Sequence, residues 1–298
     1  MENVLLSVVI LTKNNGATIG KVMRQIQAQQ INDPFEIIVV DSGSSDDTIK
    51  KVSQFNVKFY TIPPGEFGHG RTRNLASGYA TGDYIVYLSA DAIPANGKWL
   101  KNLTDRLASE NVAATFGRQI PYENTSIMER FFILRNYPPT LNGPYSIKDF
   151  NMNAFFSNVN SAIKRSVWKK IKFNEELIIS EDHDWAKRAN ELGYKIDYVP
   201  DAAVFHSHNY GLKQVFKRYF DSGVSFSQMG IKPAVLRNGI GYFLDEMIYV
   251  GREKFIKIPY AICYDLFKFM GFFFGVRHKW IPGPIKVHLS MHAYYWKN

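Results

Sequence analysis

The sequence predicts an α/β protein with a mostly parallel central sheet, followed by a helical, aromatic-rich C-terminal region. Three observations carry this. Apolar runs of strand length alternate with apolar residues at helical spacing through the first half of the chain. Polar residues with useful chemistry fall just after those runs, where ligands of parallel sheets sit. From Gly211 the chain reads as helix rich in Phe, Tyr and Trp beside Lys and Arg.

The elements follow in order. Leu5–Leu11 is a continuous apolar run, as expected for a strand covered on both faces. It reads as a buried strand and not a signal peptide, since no basic leader precedes it. After the Asn14-Asn15-Gly16 turn, Ile19, Val22, Met23 and Ile26 predict a helix. Glu36–Val40 is a second buried strand, closed by a Ser/Gly turn that can cap a helix from Asp46. Val57–Ile62 and Tyr84–Leu88 read as further strands, with a helix at Arg71–Ala80 between them. This alternation implies a mostly parallel sheet. Beyond it, Lys98–Leu107 reads as helix, Ala113–Ile120 as strand and 137–153 as a long Pro/Gly loop. A helix opens at Glu181 and stops at Gly193, and two short strands follow at Tyr194–Val199 and Ala203–His206. The expected division is a catalytic domain over 1–210, with halves 1–95 and 96–210, and a helical region over 211–298.

Composition narrows the class. The 298 residues, 46% hydrophobic, are enough for a sizeable core. Cys263 is the single cysteine, so no internal disulfide can form and a reducing compartment fits. The net charge of +9 suits phosphorylated ligands, anionic lipid or nucleic acid. Acids clustered at the strand ends would repel nucleic acid, which is not expected as a partner. The segment Phe255–Val276 has the length of a membrane span, but Lys257, Pro259, Asp265 and Lys268 interrupt it. An interfacial helix or a core-packed helix fits better; its phenylalanines suit both.

The chemistry-bearing residues are acids, histidines and a glycine-rich loop. Asp41, just after a buried strand, can accept hydrogen bonds from a nucleobase imide or a ribose hydroxyl. Asp46 can do the same or complement a helix N-terminus. Asp91, in Ser89-Ala90-Asp91, can offer oxygen to a divalent cation on a diphosphate, or simply close a strand-end turn. Gly65–Asn74 (GEFGHGRTRN) can bring Arg71 and backbone to phosphate. Asp182, at a helix start, is placed for general-base work, and Asp184 for the macrodipole alone. His206 is a candidate metal ligand, and His208 is not expected to be one.

Together these residues resemble the family 2 glycosyltransferases of the GT-A fold. The matching order is Ser7–Asn14 (SVVILTKN), Ile38–Thr48 (IVVDSGSSDDT), Arg71–Gly82 (RTRNLASGYATG), Tyr84–Asp91 (YIVYLSAD) and Glu181-Asp182. The wording GHGRTRN, SADAIP and HSHNYGLKQVFKRYF is similar to the bacterial rhamnosyltransferase branch, which builds O-antigens, capsules and other surface polysaccharides. The resemblance implies a GT-A type nucleotide-binding fold and inverting transfer of a sugar, L-rhamnose from dTDP-L-rhamnose, to a glycan or polyprenyl-diphosphate-linked acceptor. A UDP-sugar donor, or a non-catalytic nucleotide- or glycan-binding module, is the alternative. It implies substrate contacts at Thr12, Asn14, Asp41, Ser42, Asp46, Arg71, Asn74, Ala90 and Glu181. Asp182 would be the catalytic base, and Asp91 with His206 would hold Mg²⁺ or Mn²⁺. The enzyme would work in the cytoplasm, in peripheral contact with the inner face of the membrane. Two departures stand out. Ser89 replaces the first acid of the DxD motif, and the QxxRW motif of processive synthases is absent at Gln214.

Overall fold

The computed structural model describes residues 5–140, 155–230 and 235–297. The loop expected at 137–153 lies, from residue 141 on, outside them. In chain order the elements are β1 (Leu6–Thr12), α1 (Ile19–Gln27), β2 (Phe35–Asp41), α2 (Thr48–Val52), β3 (Lys58–Thr61), α3 (His69–Gly78), β4 (Tyr84–Leu88), β5 (Ile93–Pro94), α4 (Trp99–Asp105), β6 (Val112–Ile120) and α5 (Ile127–Asn136). Then come β7 (Asn160–Lys164), α6 (Arg165–Lys170), α7 (Glu181–Glu191), β8 (Lys195–Phe205), α8 (Leu212–Gln228), α9 (Val235–Lys254), α10 (Ile258–Val276) and α11 (Gly283–Leu289).

The sheet runs β3-β2-β1-β4-β7-β6-β8-β5. The pairings β2–β3, β1–β2 and β1–β4 are parallel, as the alternating pattern requires. Register places Thr12 opposite Asp41, so both sequence-predicted contacts end neighbouring strands. The helical spacing of Ile19, Val22, Met23 and Ile26 is realised in α1, where all four are buried against β1, β2 and β4 residues. Each such burial stabilises by about 1.5–3 kcal/mol.

Two sheet features depart from the sequence expectations. β7 was not expected; it lies antiparallel between β4 and β6, and its Asn160, Ser161 and Lys164 interrupt any apolar run. The two short strands expected over 194–206 are one strand, β8, parallel to β6. A register shift opposite Gly117 absorbs Pro200 and its neighbours. Asn160 holds this bulge by donating Nδ2 to the Ala202 carbonyl at 2.7 Å, while its Oδ1 accepts from Trp99 Nε1 at 2.8 Å. A Cβ on Gly117 would sit 2.0 Å from that same carbonyl, so only glycine fits there.

The chain divides into two compact units. The first takes the chain to Tyr122, with Ile133–Glu175 and Glu181–Ser207. The second takes Glu123–Phe132, Glu176–Ser180 and the chain from His208. The expected boundary at 210 lies near the last of these junctions, but two internal segments join the C-terminal unit. Their apolar residues, Met128, Ile178 and Ile179, enter its cores.

Within the second unit, α8 and α10 approach through glycine. A Cβ on Gly271 would lie 2.2 Å from the Phe216 carbonyl oxygen, and one on Gly275 would lie 2.1 Å from that of Phe220. The expected aromatic segment begins with a short 3-10 turn at Phe255–Lys257, and Pro259 sits in the first turn of α10, where its missing N–H costs nothing. Packing accounts for Phe267 and Phe272, which are partly buried, but not for Phe269, Phe273 and Phe274, which are exposed. Among the described residues, no helix is long and apolar enough to cross a membrane.

Candidate functional site

The ends of β1 and β2 are knitted into one polar cradle. Ser42 N–H and its hydroxyl both donate to the Thr12 carbonyl, at 3.0 and 3.3 Å. Asn14, in a left-handed conformation (φ 53°), donates its N–H to Ser44 Oγ at 2.8 Å. Its side-chain oxygen accepts from Ser45 N–H, also at 2.8 Å. Thr12 Oγ1 donates to Asn15 Oδ1 at 3.1 Å.

Asp41 is fully buried, and its carboxylate accepts from Gly43 N–H (2.9 Å), Ser44 N–H (2.8 Å) and the Ser44 hydroxyl (2.5 Å). The turn therefore uses the acid, which composition alone did not require. Asp46 accepts from Gly16 N–H at 2.9 Å and from Thr48 N–H at 3.0 Å. The Thr48 hydroxyl and these N–H groups hold its carboxyl below the usual range. It ties the start of α2 to the β1 loop.

The second cluster sits where β4 and β8 end. Asp91 Oδ1 lies 3.6 Å from His206 Nε2. The other ring nitrogen, Nδ1, is 2.8 Å from Gln119 Oε1. An amide oxygen only accepts, so Nδ1 carries a proton, and Nε2 is the nitrogen that faces Asp91, where the neutral ring would offer its lone pair to a cation. His206 and Gln119 are both buried, and His206 N–H extends the ladder to the Ile120 carbonyl at 3.0 Å. Tyr122 donates its hydroxyl to the Phe205 carbonyl at 3.2 Å and approaches the Asp91 carbonyl at 3.5 Å. Burial and the Asp91 charge push that hydroxyl up, keeping it a donor. His208 follows two residues after His206; ligand atoms of Asp91, His206 and His208 all lie within 4.8 Å of one another. One carboxylate and two imidazoles form a donor set suited to a divalent cation that completes its shell elsewhere. His208, which was not expected to be a ligand, stands within this grouping. The His-x-His spacing was the available signal.

The third cluster opens α7. Asp182 accepts from His183 N–H at 2.9 Å and from Asn158 N–H at 3.2 Å, and His183 Nδ1 is 3.2 Å from Oδ1. Burial opposes ionisation of Asp182, but His183, Arg73 and the Asn158 N–H outweigh it and hold the carboxyl well below the usual range. Glu181 is buried in an ion pair with Arg73. Burial pushes its carboxyl up against the pull of Arg73, and the Asp182 charge adds to the push.

One short loop connects the acid clusters. Ser157 Oγ faces Gln119 Nε2 at 3.4 Å, Asn158 N–H donates to Asp182, and the Val159 carbonyl accepts from Ser89 N–H at 3.0 Å. The Thr18 hydroxyl, just before α1, donates to the Ala90 carbonyl at 3.0 Å and so links the Ser89–Asp91 turn to the β1 loop. The strand-end acids and the α7 acid thus share a single framework of hydrogen bonds. Ser157–Val159 gave no sequence signal, because its role is carried largely by backbone atoms.

Arg71 and Asn74, both on α3, stand in different surroundings. Arg71 is exposed and lies 3.9 Å from Glu175. Asn74 spends its amide on the chain that follows α6. It donates to the Phe173 carbonyl (2.9 Å) and Glu175 (2.8 Å), and accepts from Phe173 N–H (3.0 Å) and Trp168 Nε1 (3.3 Å). That amide is filled by structural bonds. Arg73, and not its neighbours, reaches the acid pair.

The family model for glycosyl transferase family 2 matches residues 7–172. An O-antigen chain rhamnosyltransferase of Salmonella anatum is 33% identical over 282 residues, covering 91% of this chain and 89% of its own. One of Salmonella typhimurium is 31% identical over 306 residues, covering 98% and 96%. In architecture the chain is similar to a mannosyltransferase from Pyrobaculum calidifontis in complex with GDP-Man and Mn²⁺ (TM-score 0.62, 18% identity, 92% and 87% covered). It is also similar to glucosyl-3-phosphoglycerate synthase from Mycobacterium tuberculosis in complex with Mn²⁺ and UDP-glucose (TM-score 0.55, 19% identity, 77% and 81% covered). The family model covers more than half of the chain and these relatives cover most of it, so the chain belongs to glycosyl transferase family 2 as a glycosyltransferase of the GT-A fold.

Proposed function

We propose that this enzyme transfers L-rhamnose, with inversion, from dTDP-L-rhamnose to a polyprenyl-diphosphate-linked glycan at the cytoplasmic face of the membrane. The observation that carries the reading is the Ser157–Val159 loop. It joins the Asp182 carboxylate, the Ser89–Asp91 turn and the histidine-orienting Gln119 in one hydrogen-bonded frame. The Salmonella relatives, named as O-antigen chain rhamnosyltransferases, support the choice of sugar.

In this reading Thr12, Asn14 and Ser42 line the seat for base and ribose, with the buried Asp41 holding its turn in shape and Asp46 bracing it. Asp91 and His206, with His208 beside them, hold a divalent cation; Mn²⁺ is favoured over Mg²⁺ because imidazole is in the donor set. When bound, the cation neutralises the charge that develops on the departing diphosphate. Asp182 accepts the proton of the acceptor hydroxyl as that oxygen bonds to the anomeric carbon. The bond from that carbon to the phosphate oxygen breaks, and the electron pair leaves with the nucleoside diphosphate. Arg73 and Glu181 position Asp182 and do not themselves touch the reacting atoms.

The test is transfer by the purified protein from dTDP-L-rhamnose, UDP-glucose and GDP-mannose, with Mn²⁺ or with EDTA. The product's anomeric configuration is read by NMR. Transfer from dTDP-L-rhamnose alone, with inversion and lost in EDTA, is expected. Transfer from another donor would overturn the sugar, and full activity in EDTA would overturn the cation site.

A further inference from the structure

The polarity of α9 and α10 is turned inside out. On α9, Glu246 faces inward with 0% exposure, beside Val250. Its outward stripe, at intervals of four residues, is Ile240, Leu244 and Ile248, exposed by 57%, 53% and 53%. On α10 the inward positions are Tyr264, Lys268, Gly271 and Gly275, with Asp265 also largely covered. The outward positions are Ile262, Leu266, Phe269, Met270, Phe273 and Phe274. Lys268 Nζ pairs with Asp265 at 2.8 Å and lies 3.2 Å from a Glu246 carboxyl oxygen, so these polar groups find their partners inside. A helix pair facing water shows the reverse arrangement. Helices facing lipid keep charge inside and apolar side chains outside.

Cations frame the outward stripe. Arg252, Lys254 and Lys257 flank Phe255 and Ile256, which are 76% and 86% exposed, and Glu253 is the one acid among them. At the other end of α10, Arg277 and Lys279 flank Trp280, 87% exposed. Arg277 lies over the Phe273 ring at 3.8 Å, its charge at the rim of the apolar surface. The stripe on α10 runs about 28 Å, the length of its 19 residues. No described helix is suited to crossing a bilayer, so this geometry fits a surface lying in the interface plane.

We infer that the outward face of α9 and α10 seats on the surface of an anionic lipid bilayer, with its aromatics in the interface and its framing cations on lipid headgroups. A second copy of the chain is a poor occupant. A two-fold pairing of this face would set the cations around Phe255, Ile256 and Trp280 against one another, with Glu253 the one acid among them. The inference names the membrane contact of the reading above and rests on that reading only for its purpose. Vesicle binding requires neither donor nor acceptor, so either can fail alone.

The test floats the full chain with vesicles of phosphatidylglycerol and phosphatidylethanolamine, and with phosphatidylcholine alone. Wild type should float with the anionic vesicles, less at high salt, and weakly with phosphatidylcholine. The variant Leu266→Ser/Phe269→Ser/Phe273→Ser should lose binding by about tenfold or more, and Lys257→Glu/Lys279→Glu should lose the preference for anionic lipid. In case the serine variant folds poorly, brominated lipids should quench wild-type tryptophan fluorescence more than that of Trp280→Phe. Three results would each overturn the inference: wild type that stays with soluble protein, a well-folded serine variant that floats as wild type does, or sedimentation showing that the stripe joins two chains and neither form floats.

Discussion

At the scale of single residues, the proposed site divides into groups assigned to ligand and groups that aim them. Asp182 has two N–H donors and His183 around it, so it is ionised through the neutral range and ready to accept a proton. Asp182→Asn keeps the shape and removes the base. Transfer should fall by about 10²-fold or more while calorimetric donor binding persists; near-normal turnover would remove Asp182 from the role. Gln119 acts through His206 by fixing which ring nitrogen carries the proton. Gln119→Leu should weaken Mn²⁺ binding by roughly 10–100-fold, read by metal titration, with nucleotide binding in the absence of metal unchanged. Equal loss in both would mean that Gln119 serves only packing. Asp41, Asp91, Asp182 and His206 stood out in the sequence because each falls at the end of an element, and the structure brings Asp91 beside His206. Gln119 was hidden inside a strand pattern, and Asn74 misled because an amide near a glycine-rich loop serves ligand or backbone equally well.

At the scale of elements, periodicity exposed the parts whose apolar faces meet the core. The spacing of α1 and the runs of β1, β2 and β4 were readable for this reason. β7 was not, because its stability comes from two flanking strands and from Asn160 bonding outward from it. The bulge in β8 was hidden too: the residues between the two expected strands, Pro200 to Ala202, belong to one continuous strand, and Gly117 on the partner strand supplied the room. The α8–α10 seam is a similar case, since its glycines leave no apolar mark in the sequence. Gly271→Ala would press a methyl group against the Phe216 carbonyl, at a spacing no real Cβ tolerates. Backbone must then move, and the cost should be about 1–3 kcal/mol. Denaturant unfolding measures it. An unchanged midpoint would mean that α10 can slide along α8 freely.

At the scale of the whole molecule, the two units bury different things. The first buries an apolar sheet core and keeps its buried acids at element ends, whereas the second buries carboxyls in the middle of its helices. In the second unit, burial pushes Glu246 up to about 8, against Lys268 and with Asp265 adding to the rise. Burial likewise pushes Glu129 up to about 7, against Lys268 and Arg218. Tyr219, Tyr242 and Tyr264 share the cluster, and their hydroxyls are all pushed up by burial. Three carboxyls share the Lys268 ammonium, so Glu246 and Glu129 hold protons that they would release in the unfolded chain. A carboxyl of this kind contributes stability that is complete below its unfolded value of 4.5 and is lost as pH rises through its folded value. The second unit should therefore lose stability progressively from about pH 5 to about pH 8, beyond which these two groups add no further slope. Thermal unfolding across that window should show the midpoint falling by a few degrees. Glu246→Gln, which keeps a neutral side chain of the same shape, should flatten the upper part of the decline, leaving the part due to Glu129. If the variant and wild type fall in parallel, Glu246 is ionised in the folded chain and the lysine is neutralised by it. Inward charge would then be a plain ion pair, and the outward apolar stripe would stand without the protonated interior that accompanies it here.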